Sequence, residues 1–285
     1  MKSKHTAAWV GFTAAAAIAV SGCGGTDGAR TAAKAVDHAD RIMAVLSRAT
    51  DRTEQLGSAE VKVSTDLGTG TPIAMDGTYS WGDGLAFDAE MDTRAAQLQQ
   101  LQNSPTTRVL FVDGAYYYDV DPQPAGPLEG KEWMKIDSSA IFGDKGSQAF
   151  SGSSSGGGNP ADSMRALKYA NDVDDLGKET VDGQRTTHYR AVVDKAHMGK
   201  FKDAYDGDNA MSAVIGGADS MTMDIWVGGN DLPVRLQQRI GAVKVTMDFQ
   251  KFGATAPVKA PPAAQTGDLT DEIKKSREQS PEQQG

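Results

Sequence analysis

Few side chains in this 285-residue chain are of a type that reacts, and one of them stands apart. Cys23 is the only cysteine. It follows a basic start (Lys2, Lys4) and an apolar run from Ala7 to Val20, and the four residues that end in it are Val20-Ser21-Gly22-Cys23. A thiol is a nucleophile once deprotonated, open to alkylation or oxidation. With no second cysteine it cannot close an internal disulfide. The basic and apolar parts are the n- and h-regions of a secretory signal peptide. The run is about 14 residues, short of the roughly 20 that an apolar helix needs to cross a bilayer.

An aliphatic residue, two small residues and a cysteine resemble the lipobox of bacterial lipoproteins. In those proteins the thiol is alkylated with diacylglycerol and the chain is cut just before the cysteine. The resemblance implies a signal peptide over 1–22, lipidation at Cys23 and a tether over 23–30. It places the protein on the extracytoplasmic face of the cell membrane. Each buried lipid CH₂ contributes about 0.8 kcal/mol, so two or more chains on one residue anchor stably where one binds only marginally. Loss of residues 1–22 leaves 263 residues and removes Lys2 and Lys4, which moves the formal charge from −9 to −11. So negative a body is a poor partner for nucleic acid or for an anionic lipid face. Stability outside the cytoplasm must then come from an ordinary core, with no disulfide to help.

The other reactive residue types form no recognisable constellation. His38, His188 and His197 remain after processing, none at an i, i+4 spacing and none near paired cysteines, so no zinc site is expected. No Gly-x-Ser-x-Gly elbow occurs, which removes the usual sequence sign of a hydrolase. Asp206-Gly207-Asp208-Asn209 begins like a calcium loop, but Ala210 and Gly217 stand where ligands are needed, and a solvated turn is expected. The Ser, Gly and Asn run over 151–159 lacks the Gly-Lys-Ser/Thr of a phosphate loop. Asp172, Asp174 and Asp175 are expected in an exposed loop. No enzyme activity and no cofactor are expected.

The elements that would position a site are legible as periodicities. Ala35, Val36, Ala39, Ile42, Met43 and Leu46 recur at helical spacing, which predicts a helix over 31–56 with Gly57 as its stop. Alternating runs predict strands over 59–64, 85–92, 108–112, 115–120, 133–136, 173–181, 186–193, 221–227, 232–236 and 243–249. Trp81 to Leu85, Asp113-Gly114, Asp182-Gly183 and Gly228 to Asp231 are turn signals. A further helix is expected over 160–170 and a helical or irregular insert over 195–215. Such a pattern predicts an α+β domain whose curved antiparallel sheet is covered by helices. In Tyr116-Tyr117-Tyr118 the outer two share a face.

Val181-Asp182-Gly183-Gln184-Arg185-Thr186-Thr187-His188-Tyr189 with Asp194, then Trp226-Val227, Leu232-Pro233-Val234-Arg235, Phe249, Phe252-Gly253 and Ala260-Pro261-Pro262, carry a second resemblance. Together with the lipobox they resemble the actinobacterial LppX/LprA/LprF/LprG lipoproteins, structurally akin to the LolA and LolB carriers. The resemblance implies a LolA-like half-barrel over 31–262, wrapped around helices with a hydrophobic cavity between; beyond it, the Pro, Gln and charge of the chain's end predict a polar, flexible tail over 263–285. The resemblance implies binding or transfer of acylated lipids. The residues expected to line the apolar face are Phe87, Met91, Met223, Ile225, Val227, Val234, Leu236, Val245, Met247 and Phe249. Methionine suits a surface for variable acyl chains and serves equally as core filler. The alternative reading is a non-catalytic protein–protein or signalling-accessory module on the same scaffold, with a closed core.

Overall fold

The computed structural model describes residues 26–68, 71–151, 159–165, 167, 170, 172–194, 217–253 and 256–279. Cys23, His197, the turn at Asp206 and most of the Ser/Gly run lie outside the described residues. Residues up to His38 form a unit of their own, and the body of the protein begins at Ala39.

Twelve strands form one sheet. Six come from the first half of the chain: β1 (Ser58–Asp66), β2 (Ile73–Ser80), β3 (Ala86–Asp92), β4 (Thr106–Val112), β5 (Ala115–Asp119) and β6 (Trp133–Asp137). Five more follow: β7 (Asp172–Val181), β8 (Gln184–Asp194), β9 (Ser220–Gly228), β10 (Pro233–Ile240) and β11 (Val243–Phe252). The short β12 (Thr266–Asp268) ends the set. The spatial order is β12-β6-β5-β4-β3-β2-β1-β11-β10-β9-β8-β7. Two meanders, β1 to β6 and β7 to β11, are thus sewn together where β1 lies against β11, with Val63 opposite Met247. The sheet is curved and unclosed, and the fold is α+β.

The core follows from the alternation. Ala59, Val61 and Val63 of β1, Phe87, Ala89 and Met91 of β3, and Met221, Met223, Ile225 and Val227 of β9 all point to one face and are buried there. This is called the inner face. Ile42, Leu46 and Ala49 of α1 (Thr26–Leu56) belong to the same cluster, spaced to form one stripe of the helix. Thr50 and Thr53 are buried on that helix because each hydroxyl donates back to the carbonyl four residues earlier, at 2.8 and 2.7 Å. Gly57 ends it with φ at 66°, a left-handed turn that glycine adopts without a Cβ penalty. The Trp81 indole N–H then donates to the Thr53 carbonyl at 3.0 Å, so the turn after β2 caps the helix.

Several expectations need correction. The helix begins at Thr26, so Thr26–Arg30 are helical rather than part of a loose tether; the alanines that follow are strong helix formers. Strand β2 is an addition, masked in the sequence by Gly77 in its middle. Helix α2 (Ser138–Ser151) is likewise an addition and is broken at Gly143, where φ is 72°. Helix α3 spans only Pro160–Arg165. Asp174 and Asp175 lie in β7 rather than in a loop; β7 is an edge strand, where solvated acids are tolerated and discourage edge-to-edge pairing.

The largest correction concerns the end of the chain. Residues 263–279 are not a loose tail. Strand β12 pairs with β6, and it does so in parallel, unlike the antiparallel pairing expected throughout. Lys135 Nζ meets Asp268 Oδ2 at 2.7 Å, and the Asp137 N–H donates to Thr270 Oγ1 at 3.0 Å. Leu269 and Ile273, the latter in α4 (Thr270–Glu278), pack on Leu98, Val120, Leu128, Met134, Ile136 and Ala140. Truncation after Pro262 is therefore expected to destabilise the protein by about 2 kcal/mol, from two half-buried aliphatic side chains worth about 1.5–3 kcal/mol each if fully buried. It should also raise the fluorescence of a hydrophobic dye through the bared cluster. An unchanged melting temperature and dye signal would show that the segment adds nothing to the core.

Candidate functional site

Strand register lines the inner face with two rows of side chains. Across the strands, Met91, Met75, Val63, Met247, Leu236 and Ile225 stand side by side. The adjacent row runs Ile73, Thr65, Val245, Gln238, Met223 and Ala191. Neighbouring strands lie about 4.8 Å apart, so each row is a continuous stripe. The flanks are closed: Met91, Met223, Ile225, Leu236 and Ala191 are buried. The rest is less covered: Met75 and Met247, on either side of the buried Val63, and Ile73, Thr65, Val245 and Gln238, from the end of their row up to Met223, are only half-buried.

Beside these rows lies an aromatic ladder. The ring centroids of Tyr79 and Phe87 are 4.9 Å apart, those of Phe87 and Phe111 5.6 Å, and those of Phe111 and Tyr116 4.8 Å. Tyr116 and Tyr118 stack at 6.2 Å on the same face, while Tyr117 turns outward to Leu110 and Val112. Burial pushes the Tyr118 hydroxyl up to about 12 and raises those of Tyr79 and Tyr116 as well. Such shifts mark an interior of low polarity, where the charged phenolate is disfavoured.

The expected lining residues fall mostly on this face. Phe87, Met91, Met223, Ile225, Val227, Leu236 and Phe249 are buried in its main cluster, and Val245 and Met247 are packed against it, partly exposed. Val234, expected on the inner face, is the exception. The register of β10 against β9 shifts between Pro233 and Arg235, which turns Val234 to the outer face, where it clusters with Val181 and Trp226. A bulge of this kind breaks the period-two rule that placed it inside. Ile73, Met75 and Gln238 are additions. The two apolar ones belong to the strand hidden by Gly77, and Gln238 is polar, so hydrophobic patterning does not mark it.

The outer face carries a polar network instead. Among its members, His188 is buried, with Nδ1 2.9 Å from Glu179 Oε1 and Nε2 2.7 Å from Asp224 Oδ1. Arg190 donates to the same Asp224 oxygen at 2.7 Å, and the Trp226 indole donates to Glu179 Oε2 at 2.8 Å. The Trp226 and His188 N–H groups hold the Glu179 carboxyl below its usual range. The His188 and Trp226 rings stack at 4.1 Å, and the Arg235 guanidinium lies over a Trp226 ring at 6.0 Å. With every ring nitrogen of His188 and Trp226 already bonded, the cluster reads as a brace across β7, β8, β9 and β10.

A separate cleft of about 600 Å³ opens where the turns meet the end of α1, lined by Leu56, Ser80, Asp83, Leu85, Asp113 and Val258 among others. None of the ten expected lining residues borders it. Among the described residues, no helix is long and apolar enough to cross a membrane.

No protein-family model matches the chain. It is similar to an uncharacterized 31.2 kDa protein of Streptomyces griseus, encoded between rplA and rplJ, with 26% identity over 250 residues, covering 81% of this chain and 80% of that one. A candidate lipoprotein of Streptomyces coelicolor is 27% identical over 235 residues, covering 79% of this chain and 73% of its own. Among solved structures, the lipoprotein LppX of Mycobacterium tuberculosis superposes with a TM-score of 0.50 at 14% identity, over 77% of this chain and 99% of LppX. At that identity the likeness speaks for the fold.

Proposed function

We propose, from a fold shared with the lipoprotein LppX, that this chain is a membrane-anchored, extracytoplasmic lipoprotein that holds an acylated ligand against the inner face of its sheet. One observation carries the reading: half-buried apolar side chains at Ile73, Met75, Val245 and Met247 gather around the buried Val63, with Met91, Met223, Ile225 and Leu236 buried beyond them. An acyl chain laid along the stripe would gain about 25 cal/mol per Å² of apolar surface removed from water, enough to offset its immobilisation. The role needs no catalytic group. The lipobox at Cys23 supports the anchor, and so does a Streptomyces relative described as a lipoprotein.

The test is to make the full chain carrying Cys23→Ser in its native host and to analyse organic extracts by mass spectrometry, alongside titration with a fluorescent fatty acid. The expected result is a co-purifying acylated lipid and saturable dye binding. Repeated absence of both would leave the anchor and remove the carrier.

A second reading, docking of a protein partner, has one observation in its favour. The cleft near Asp83 and Asp113 is open, acidic and distinct from the inner face. A partner there would have to bring positive charge.

A further inference from the structure

We propose that Gln238 is the polar anchor of the inner face, donating a hydrogen bond to the carbonyl oxygen of an acyl ester. The assignment rests on the carrier reading and adds to it the ligand's polar group and the residue that selects it. Gln238 lies in β10 between Leu236 and Ile240, both buried in the inner cluster, so alternation puts its side chain on the same face. Its cross-strand neighbours are Met223 on one side and Val245 on the other, both inner-face residues. The Gln238 amide nitrogen is buried and has no hydrogen-bond partner among the described residues.

Buried amides are almost always paired, since an unpaired donor loses its water and gains nothing in exchange. A position serving only the fold would carry an aliphatic residue, as its neighbours Leu236 and Ile240 do. Instead a donor stands beside Val245, Met247 and Thr65, where the inner face is incompletely covered. Among the described residues, no acceptor meets that nitrogen. The two rows around it contain no charged residue, so a carboxylate or phosphate would be stripped of water without a counter-charge. An ester carbonyl brings an oxygen acceptor with no charge and arrives attached to the chain that the apolar stripe accommodates.

The measurement compares two pyrene-labelled probes, a palmitate methyl ester and the alkane of matching length. Both are titrated into the full chain carrying Cys23→Ser, with and without Gln238→Met. Methionine keeps the length and shape of the side chain and removes the donor, so folding is expected to persist, and melting of each variant checks it. The ester should bind the unsubstituted inner face about tenfold more tightly than the alkane, as one recovered buried hydrogen bond allows. In Gln238→Met that preference should vanish while alkane binding is kept or improved. Equal binding of the two probes before substitution, or an ester preference that survives Gln238→Met, would overturn the assignment while leaving the carrier reading intact. If neither probe binds, both fall together.

Discussion

Replacing Phe111 with alanine is expected to lower the stability of the protein by about 3–5 kcal/mol, the range for deleting a fully buried aromatic side chain. Phe111 has no exposed surface. Its ring stands between Phe87 and Tyr116, with centroids 5.6 and 4.8 Å away, so its loss removes two aromatic contacts as well as a buried volume. The neighbours cannot easily collapse into the space, because each is fixed by its own strand: Phe87 lies opposite Phe111 in β3, and Tyr116 opposite it in β5. The cavity term therefore persists. For a domain of this size the change corresponds to a fall in melting temperature of roughly 10 °C. Denaturant unfolding of both forms measures it. A loss below about 1 kcal/mol would mean that this end of the inner face is loosely packed.

Gly77→Ala is expected to be the most damaging single-atom addition. A Cβ at Gly77 would lie 2.2 Å from the Asp88 carbonyl oxygen and 2.5 Å from Ala89 Cα, both backbone atoms of the paired strand. Side chains can rotate away from such a clash, but a ladder strand cannot move without breaking its hydrogen bonds. The cost should reach or exceed the upper end of the usual 1–3 kcal/mol for overpacking, and the β2–β3 pairing should be the first to open. Gly229→Ala is the matched control, since nothing lies within 4 Å of its would-be Cβ and its φ is not in the left-handed range. It should change stability by no more than about 0.5 kcal/mol. Equal effects at the two positions would refute the close approach at Gly77. Hydrogen exchange of the β2 and β3 amides would locate the damage.

Much of the site was legible before any fold was known. Met221, Met223, Ile225 and Val227 alternate with Thr222, Asp224 and Trp226, and the structure buries the first set inside. The alternation works because one buried face demands it over an unbroken strand. It failed at two places for two reasons. In β2 the inner position nearest the crossing with β3 had to be glycine, which erased the apolar mark that Ile73, Met75 and Tyr79 would have shown together. In β10 a bulge shifted the count by one and sent Val234 outward, and nothing local announces a bulge. Gln238 was invisible for a simpler reason: hydrophobic patterning discards a polar residue, although its place between Leu236 and Ile240 and its two cross-strand neighbours turn it inward.

What the order of residues determined by itself is local. The anchor reading rests on four contiguous residues behind an apolar run, and the turns at Asp113-Gly114 and Asp182-Gly183 need only those dipeptides, whose residues all have positive φ. The tertiary structure decided everything that depends on a partner far along the chain. It set β11 against β1 and closed the two meanders into one sheet. It held Leu269 and Ile273 on the cluster at Met134, which a polar C-terminal composition hid. It left one amide nitrogen unpaired in an apolar row. Each of these is a matter of register between distant segments, and register is set by the sum of many weak contacts rather than by any short stretch of sequence.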